Sequence, residues 1–278
     1  MKLLALGDVV GRSGREAVLT WLPKIRKAVA LDHVMLNGEN AAGGFGLTAD
    51  IADQFFAAGA DTITLGNHSW DQREMLSHIE QDRRIVRPAN YPDGTPGRGY
   101  YVTETPSGKR VLTIQLMGRV FMDPLDDPFA TVAKLVSVYK LGNQIHAVIV
   151  DVHGEASSER QAMGHYLDGK VSMVVGTHTH VPTADHQILP YGTAYQTDLG
   201  MIGDYNSVIG FNNETPVKRF TEKLPTDRLS PASEEATLCG LYVETDDTTG
   251  LSTRVEPVRL GGRLSQQQPA EWALESIQ

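Results

Sequence analysis

Met173-Val174-Val175-Gly176-Thr177-His178-Thr179-His180 is an apolar run that stops on glycine and delivers two histidines spaced i, i+2. On an extended backbone those two side chains face the same side. The construction recurs upstream. Residues 3–6 run into Gly7-Asp8, 34–36 into Asn37-Gly38-Glu39-Asn40, 63–65 into Gly66-Asn67-His68, and 147–150 into Asp151-Val152-His153. Between these short strands lie segments with helical spacing. Residues 15–29 set Val18, Leu19, Leu22, Ile25 and Val29 on one face, with Pro23 placed to kink the helix. Residues 49–58 follow Thr48 as a cap, and 71–79, 128–139 and 157–163 supply further helices, with a strand at 110–116. Strands alternating with helices imply crossover connections, and so an α/β fold with a substantially parallel sheet covered on both faces.

Past residue 185 the texture changes. Residues 194–197, 237–244 and 252–258 read as strands, the last two joined by the turn Asp246-Asp247-Thr248-Thr249-Gly250. This end is expected to be antiparallel and to complete one domain over 1–260, with 223–235 an exposed loop. The tail 261–278 is expected to be disordered or to end in a short docked helix.

Bulk properties bound the partners. The 278 residues carry a formal net charge of −9, which disfavours an extended face for nucleic acid. A small phosphorylated substrate remains compatible where bound cations reverse the local sign. A single cysteine, Cys239, permits no internal disulfide and fits a cytoplasmic setting. The apolar start of the chain stops at Gly7-Asp8, too short for a secretory signal, and no stretch approaches the roughly 20 apolar residues of a membrane span.

In a parallel sheet the strand C-termini share one rim, where ligands bind in open α/β folds. Five loops on that rim gather at least two carboxylates, two asparagines and four histidines. Singly, each has an ordinary explanation: Asp8 as a helix cap, Glu39-Asn40 as a turn, His153 as a hydrogen-bonded core histidine. Their recurrence at one structural position points to metal. Carboxylate, carboxamide and imidazole donors without thiolate suit iron, manganese or zinc. Seven candidates (Asp8, Glu39, Asn40, Asn67, His153, His178 and His180) are too many for one ion and suit two sharing a carboxylate, the usual arrangement for displacement at phosphorus.

Gly7-Asp8, Gly66-Asn67-His68 and Gly176-Thr177-His178-Thr179-His180 resemble the signature blocks of calcineurin-like metallophosphoesterases. Adding Asn37-Gly38-Glu39-Asn40-Ala41-Ala42, Val86-Arg87-Pro88-Ala89-Asn90, Asp126-Asp127-Pro128-Phe129 and His153-Gly154-Glu155-Ala156, the chain is similar to the narrower YmdB-like branch over residues 1 to 258. The broad superfamily has Asp-x-His where this chain has Asp8-Val9-Val10, and a bridging aspartate where it has Glu39; both are expected in the branch. The resemblance implies the calcineurin-like fold, with mixed sheets flanked by helices and the metal site at strand C-terminal ends. It implies two metal ions per chain, iron with manganese able to substitute. Asp8, Glu39, Asn40 and His180 would hold the first, with Glu39 bridging to Asn67, His153 and His178 at the second.

The implied activity is phosphodiester hydrolysis, 2′,3′-cyclic nucleotides being the substrate class, by attack of a metal-bridging hydroxide. His68 is the expected general acid, since imidazole titrates near neutrality. Phe45, in the glycine-rich 42–46 loop, could stack on a base, and Arg12 and Arg87 are available for phosphate oxygens. A phosphomonoesterase or nucleotidase, or a nucleotide sensor with little turnover, are the competing readings. Self-association is left open.

Overall fold

The computed structural model describes residues 1–222 and 224–272. Its elements run β1 (Lys2–Val9), α1 (Gly11–Ala28), β2 (His33–Asn37), α2 (Ala49–Ala58), β3 (Thr62–Thr64), α3 (Met75–Gln81), β4 (Ile85–Val86), β5 (Tyr100–Glu104), β6 (Arg110–Met117), α4 (Pro128–Val138), β7 (Ala147–His153), α5 (Ser157–Leu167), β8 (Met173–Thr177), β9 (Gln187–Ile188), β10 (Ala194–Gln196), β11 (Met201–Ile202), α6 (Glu214–Glu222), β12 (Leu238–Thr245) and β13 (Ser252–Leu260).

The strands divide between two mixed sheets, as the family resemblance implies, where the strand–helix alternation alone suggested one. The first has the order β13-β12-β1-β2-β3-β4, with β11 alongside β1; the second has the order β5-β6-β7-β8-β10-β9. From β1 to β4 and from β6 to β8 the pairings are parallel, while β12 lies antiparallel to β1 and to β13. The period-2 alternation of side chains explains the division. Leu3 and Ala5 of β1 join Ala147 and Ile149 of β7 and Met173 and Val175 of β8 in a core between the sheets. Leu4 and Leu6 turn the other way, onto Val18, Leu22 and Ile25 of α1 and Phe55 of α2. On the far side Val148, Val150 and Val174 pack against Val132 of α4 and Met163 of α5. Each sheet therefore has helices on one face and the other sheet on its second. Strands buried on both faces read as continuous apolar runs, and that is why the sequence suggested one sheet between helices.

Several elements differ from the sequence expectation. Helix α1 starts at Gly11, and Leu19 lies off its buried face at 38% exposure. Helix α3 starts at Met75, because residues 71–74 are spent in turns whose Asp71 faces His68. Thr48 caps α2 as expected, its hydroxyl accepting the Ile51 N–H at 3.3 Å. Of the expected tail, residues 261–272 return to the body: Arg259 and Gln267 exchange backbone hydrogen bonds, and Trp272 is buried edge-on against Tyr242. Residues 273–278 of that tail lie outside the described residues. Among the described residues no helix is long and apolar enough to cross a membrane.

Candidate metal centre

Parallel pairing sets Asp8 of β1 beside Asn37 at the end of β2, and His153 of β7 beside Thr177 of β8. Where the two sheets meet at these strand ends, the side chains converge on His153. Its Nε2 lies 2.9 Å from Glu39 Oε1, 3.0 Å from Asn67 Oδ1 and 3.1 Å from His178 Nδ1. Its Nδ1 lies 3.9 Å from Asp8 Oδ1, which is 4.0 Å from His180 Nε2. Glu39, His153 and His178 offer donor atoms all within 4.8 Å of one another. Gly66 leaves the space: a Cβ there would collide with Glu39 Oε2 and His153 Nε2.

Asp8, Glu39, Asn67, His153, His178 and His180 are thus joined by side-chain proximity. Asn40 is buried next to Glu39, but its amide donates to the Gly44 carbonyl at 3.1 Å and, among the described residues, makes no side-chain hydrogen bond to the others. The His68 backbone N–H binds Glu39 Oε2 at 2.9 Å, while its imidazole turns to the rim, with Nδ1 2.8 Å from Asp71 Oδ2. Phe45 meets that imidazole edge-on at 5.1 Å and stacks on Phe211 at 5.3 Å. The two arginines do not reach the cluster by hydrogen bonds. Arg12 pairs with Glu16 on the surface of α1, and Arg87 spends its guanidinium on the carbonyls of Pro88, Thr95, Pro96 and Gly97.

The electrostatics are those of a largely buried charge cluster. Burial pushes the Asp8 carboxyl well above the usual range, against the opposing pull of His153. Burial also acts upward on Glu39, but the His153 imidazole and the His68 N–H outweigh it and leave it at about 2. Burial would lower His153; Glu39 and Asp8 reverse that and raise it to about 9. His178 goes down to about 3, through burial and then repulsion from His153.

The donor set fits cations. Asp8 Oδ1 and Asn40 Oδ1 are buried with no hydrogen-bond partner among the described residues, an expensive condition unless a positive ligand satisfies them. His180 donates Nδ1–H to the Ile209 carbonyl at 2.8 Å, which leaves Nε2 as its free lone pair on the Asp8 side.

Sequence reading passed over the groups behind the histidines. His178 and His180 sit at φ of 105° and 66°, a region costly for side-chain-bearing residues. Between them the Thr179 N–H and hydroxyl both donate to Asp198 Oδ2, at 3.1 and 2.7 Å, and Arg160 pairs with the same oxygen at 2.5 Å. Arg160 and Asp198 are both buried. Asp198 follows the expected strand 194–197, so the strand-end rule that found the other residues would have found it.

The sequence pattern of the YmdB-like protein family matches residues 4–258. The chain belongs to the YmdB-like family. A 2′,3′-cyclic-nucleotide 2′-phosphodiesterase of Bacillus subtilis is 44% identical over 93% of this chain and 96% of its own length. Among solved structures, this YmdB-like chain superposes on a hypothetical protein of Thermus thermophilus with a TM-score of 0.87 at 42% identity, covering 95% of this chain and 100% of that one. It also superposes on a novel phosphatase of Mycoplasma pneumoniae with a TM-score of 0.87 at 31% identity, covering 98% and 95%. The family resemblance read from the signature blocks is confirmed, together with the fold.

Proposed function

We propose that this YmdB-like chain is a metal-dependent phosphodiesterase acting on small phosphodiesters, 2′,3′-cyclic nucleotides being the substrate class. The observation that carries the reading is the convergence of Glu39, Asn67 and His178 on one nitrogen of buried His153, beside an Asp8 oxygen that has no hydrogen-bond partner among the described residues. The name of the Bacillus subtilis relative supports the substrate class.

Asp8, Glu39, Asn40 and His180 would hold one ion, and Asn67, His153 and His178 a second, with Glu39 shared. When bound, such a pair, iron or manganese, neutralises charge on the phosphoryl oxygens and lowers the pKa of the attacking water. The chain's own contribution begins with Gly66, whose missing side chain gives the cluster room. His68 then serves the leaving group. Asp71 accepts from Nδ1 and orients the ring, leaving the Nε2 proton for the departing ribose oxygen. Phe45, fixed by Phe211 and by the Gln72 amide on its carbonyl, gives that ring an apolar wall.

A phosphomonoesterase is the second reading, favoured by the likeness to the Mycoplasma pneumoniae protein described as a phosphatase. The test pairs elemental analysis of protein purified without chelator with hydrolysis of bis-p-nitrophenyl phosphate, p-nitrophenyl phosphate and 2′,3′-cyclic AMP. Two metals per chain with diester turnover support the proposal. Turnover of the monoester alone supports the second reading. Absence of metal and of turnover after adding iron or manganese sinks both.

A further inference from the structure

Behind His153 lies a buried polar chain that the proposed chemistry does not use. Its Nδ1 is 2.8 Å from Thr177 Oγ1, and Thr177 Oγ1 is 2.7 Å from Asp151 Oδ1. All three residues are fully buried. A hydroxyl has one hydrogen, so it can donate to only one of these neighbours.

Two amides settle the direction. Asn37 Oδ1 accepts the Glu39 N–H at 3.1 Å, which leaves its NH₂ to donate to the Leu65 carbonyl at 2.7 Å and toward Asp151 Oδ2 at 3.4 Å. Gln115 Oε1 accepts the Leu65 N–H at 2.9 Å, which likewise turns its NH₂ to the Leu65 carbonyl and Asp151 Oδ2, the latter at 3.4 Å. Neither amide can flip without setting its oxygen against a carbonyl and its NH₂ against a backbone N–H. Both amides thus donate toward Asp151 Oδ2, and Asp151 as a carboxylate accepts the Thr177 hydroxyl on Oδ1. The Thr177 hydrogen goes to Asp151, and the Thr177 oxygen must accept.

We infer that the one-way chain from Asn37 and Gln115 through Asp151 and Thr177 holds a hydrogen on His153 Nδ1 and so presents Nε2 as the nitrogen for the metal centre, making Thr177 and Asp151 positioning residues for it. The role in metal binding rests on the proposed two-metal reading; the placement of the hydrogen does not. Partners of this kind fix the ring orientation and the basicity of a ligating histidine. The register supports the design: β6, β7 and β8 set Gln115 beside Asp151 and His153 beside Thr177, so the chain is built from adjacent strands rather than loops.

The test uses the full chain with ¹⁵N-labelled histidine rings and Zn²⁺ as a diamagnetic ion. Ring ¹⁵N–¹H correlations should show a hydrogen on His153 Nδ1 in the metal-free protein and, in the Zn²⁺-loaded protein, on Nδ1 alone. Thr177→Val, which keeps the shape and removes the acceptor, should lose that placement and weaken Zn²⁺ about 10–100-fold. Thr177→Ser should restore both. A Zn²⁺-loaded wild-type His153 with no hydrogen on Nδ1, or a Thr177→Val protein with wild-type Zn²⁺ affinity, would overturn the inference. Unchanged Zn²⁺ affinity in His153→Gln would remove the metal-centre reading, and with it the role in binding, while the metal-free spectrum still decides whether Nδ1 carries a hydrogen.

Discussion

Replacing Arg160 by methionine should destabilise the protein sharply, and the size follows from what is left behind. Asp198 keeps its carboxylate, fully buried, with three donors from Thr179 and the Gly200 N–H but no cation. The Thr177 carbonyl also loses the Arg160 Nη1–H that reaches it at 3.2 Å. Removing one partner of a buried ion pair typically costs about 3–5 kcal/mol. For a protein of this size that lowers Tm by roughly 10 °C. The assay is urea unfolding followed by tryptophan fluorescence, for Arg160→Met, Asp198→Asn and the double variant. The two single changes should be strongly non-additive, with a coupling on the order of 1–3 kcal/mol, because each removes the same contact. Stability of Arg160→Met within about 1 kcal/mol of wild type would refute the reasoning, since that is the size of an ordinary point substitution.

Three other outcomes are expected. His68→Ala should lower turnover of a diester about 10²–10⁴-fold while elemental analysis finds the wild-type metal content, because its side chain stands apart from the cluster; loss of metal would assign it to the ligand set instead. Gly66→Ala should abolish metal uptake in a folded protein, by pushing against Glu39 and His153, and normal metal content would show that the site tolerates a methyl group. His33 is buried against Thr62 and Thr113, and burial holds its pKa down to about 4. A folded value below the unfolded one means that its contribution is complete above about pH 6.5 and is lost as pH falls toward 4, at about 1.4 kcal/mol per unit. Unfolding free energy should drop about 2 kcal/mol more in wild type than in His33→Gln between pH 7 and 5; equal drops would mean that His33 is not held neutral.

What was legible in the sequence was whatever repeats locally. Apolar runs ending in Gly7-Asp8, Gly66-Asn67-His68 or Gly176-Thr177-His178 announce both strand and site, because side chains at a strand end stand on one rim. Sheet membership was not legible. It depends on which face of β1 meets which face of β7, and a strand buried on both sides carries no polar alternation to reveal it. Strands β4, β9 and β11 are two residues long and show no period. Helix α6 was hidden by Pro216, which suggests a turn but sits in the first helical turn, where its missing N–H has no intrahelical partner to lose. Arg160 is hidden for a different reason: an arginine on a helix is ordinarily a solvated residue, and only the Asp198 carboxylate, 38 positions later, explains its burial.

The place of β1 also bears on how the molecule is made. Its antiparallel neighbour β12 pairs Lys2 with Glu244 and Leu6 with Gly240, so one edge of a strand whose residues 3–6 are all apolar waits for almost the whole chain. At ribosomal rates of about 5–20 residues per second, that edge stays open for roughly ten to fifty seconds. Contacts of such long sequence separation form late, and an unpaired apolar edge is the kind of surface on which nascent chains associate. The parallel neighbour β2, complete by Asn37, can cover the other edge early. Synthesis therefore leaves a half-built first sheet exposed until β12 arrives, and chaperone demand should fall in that interval rather than after release.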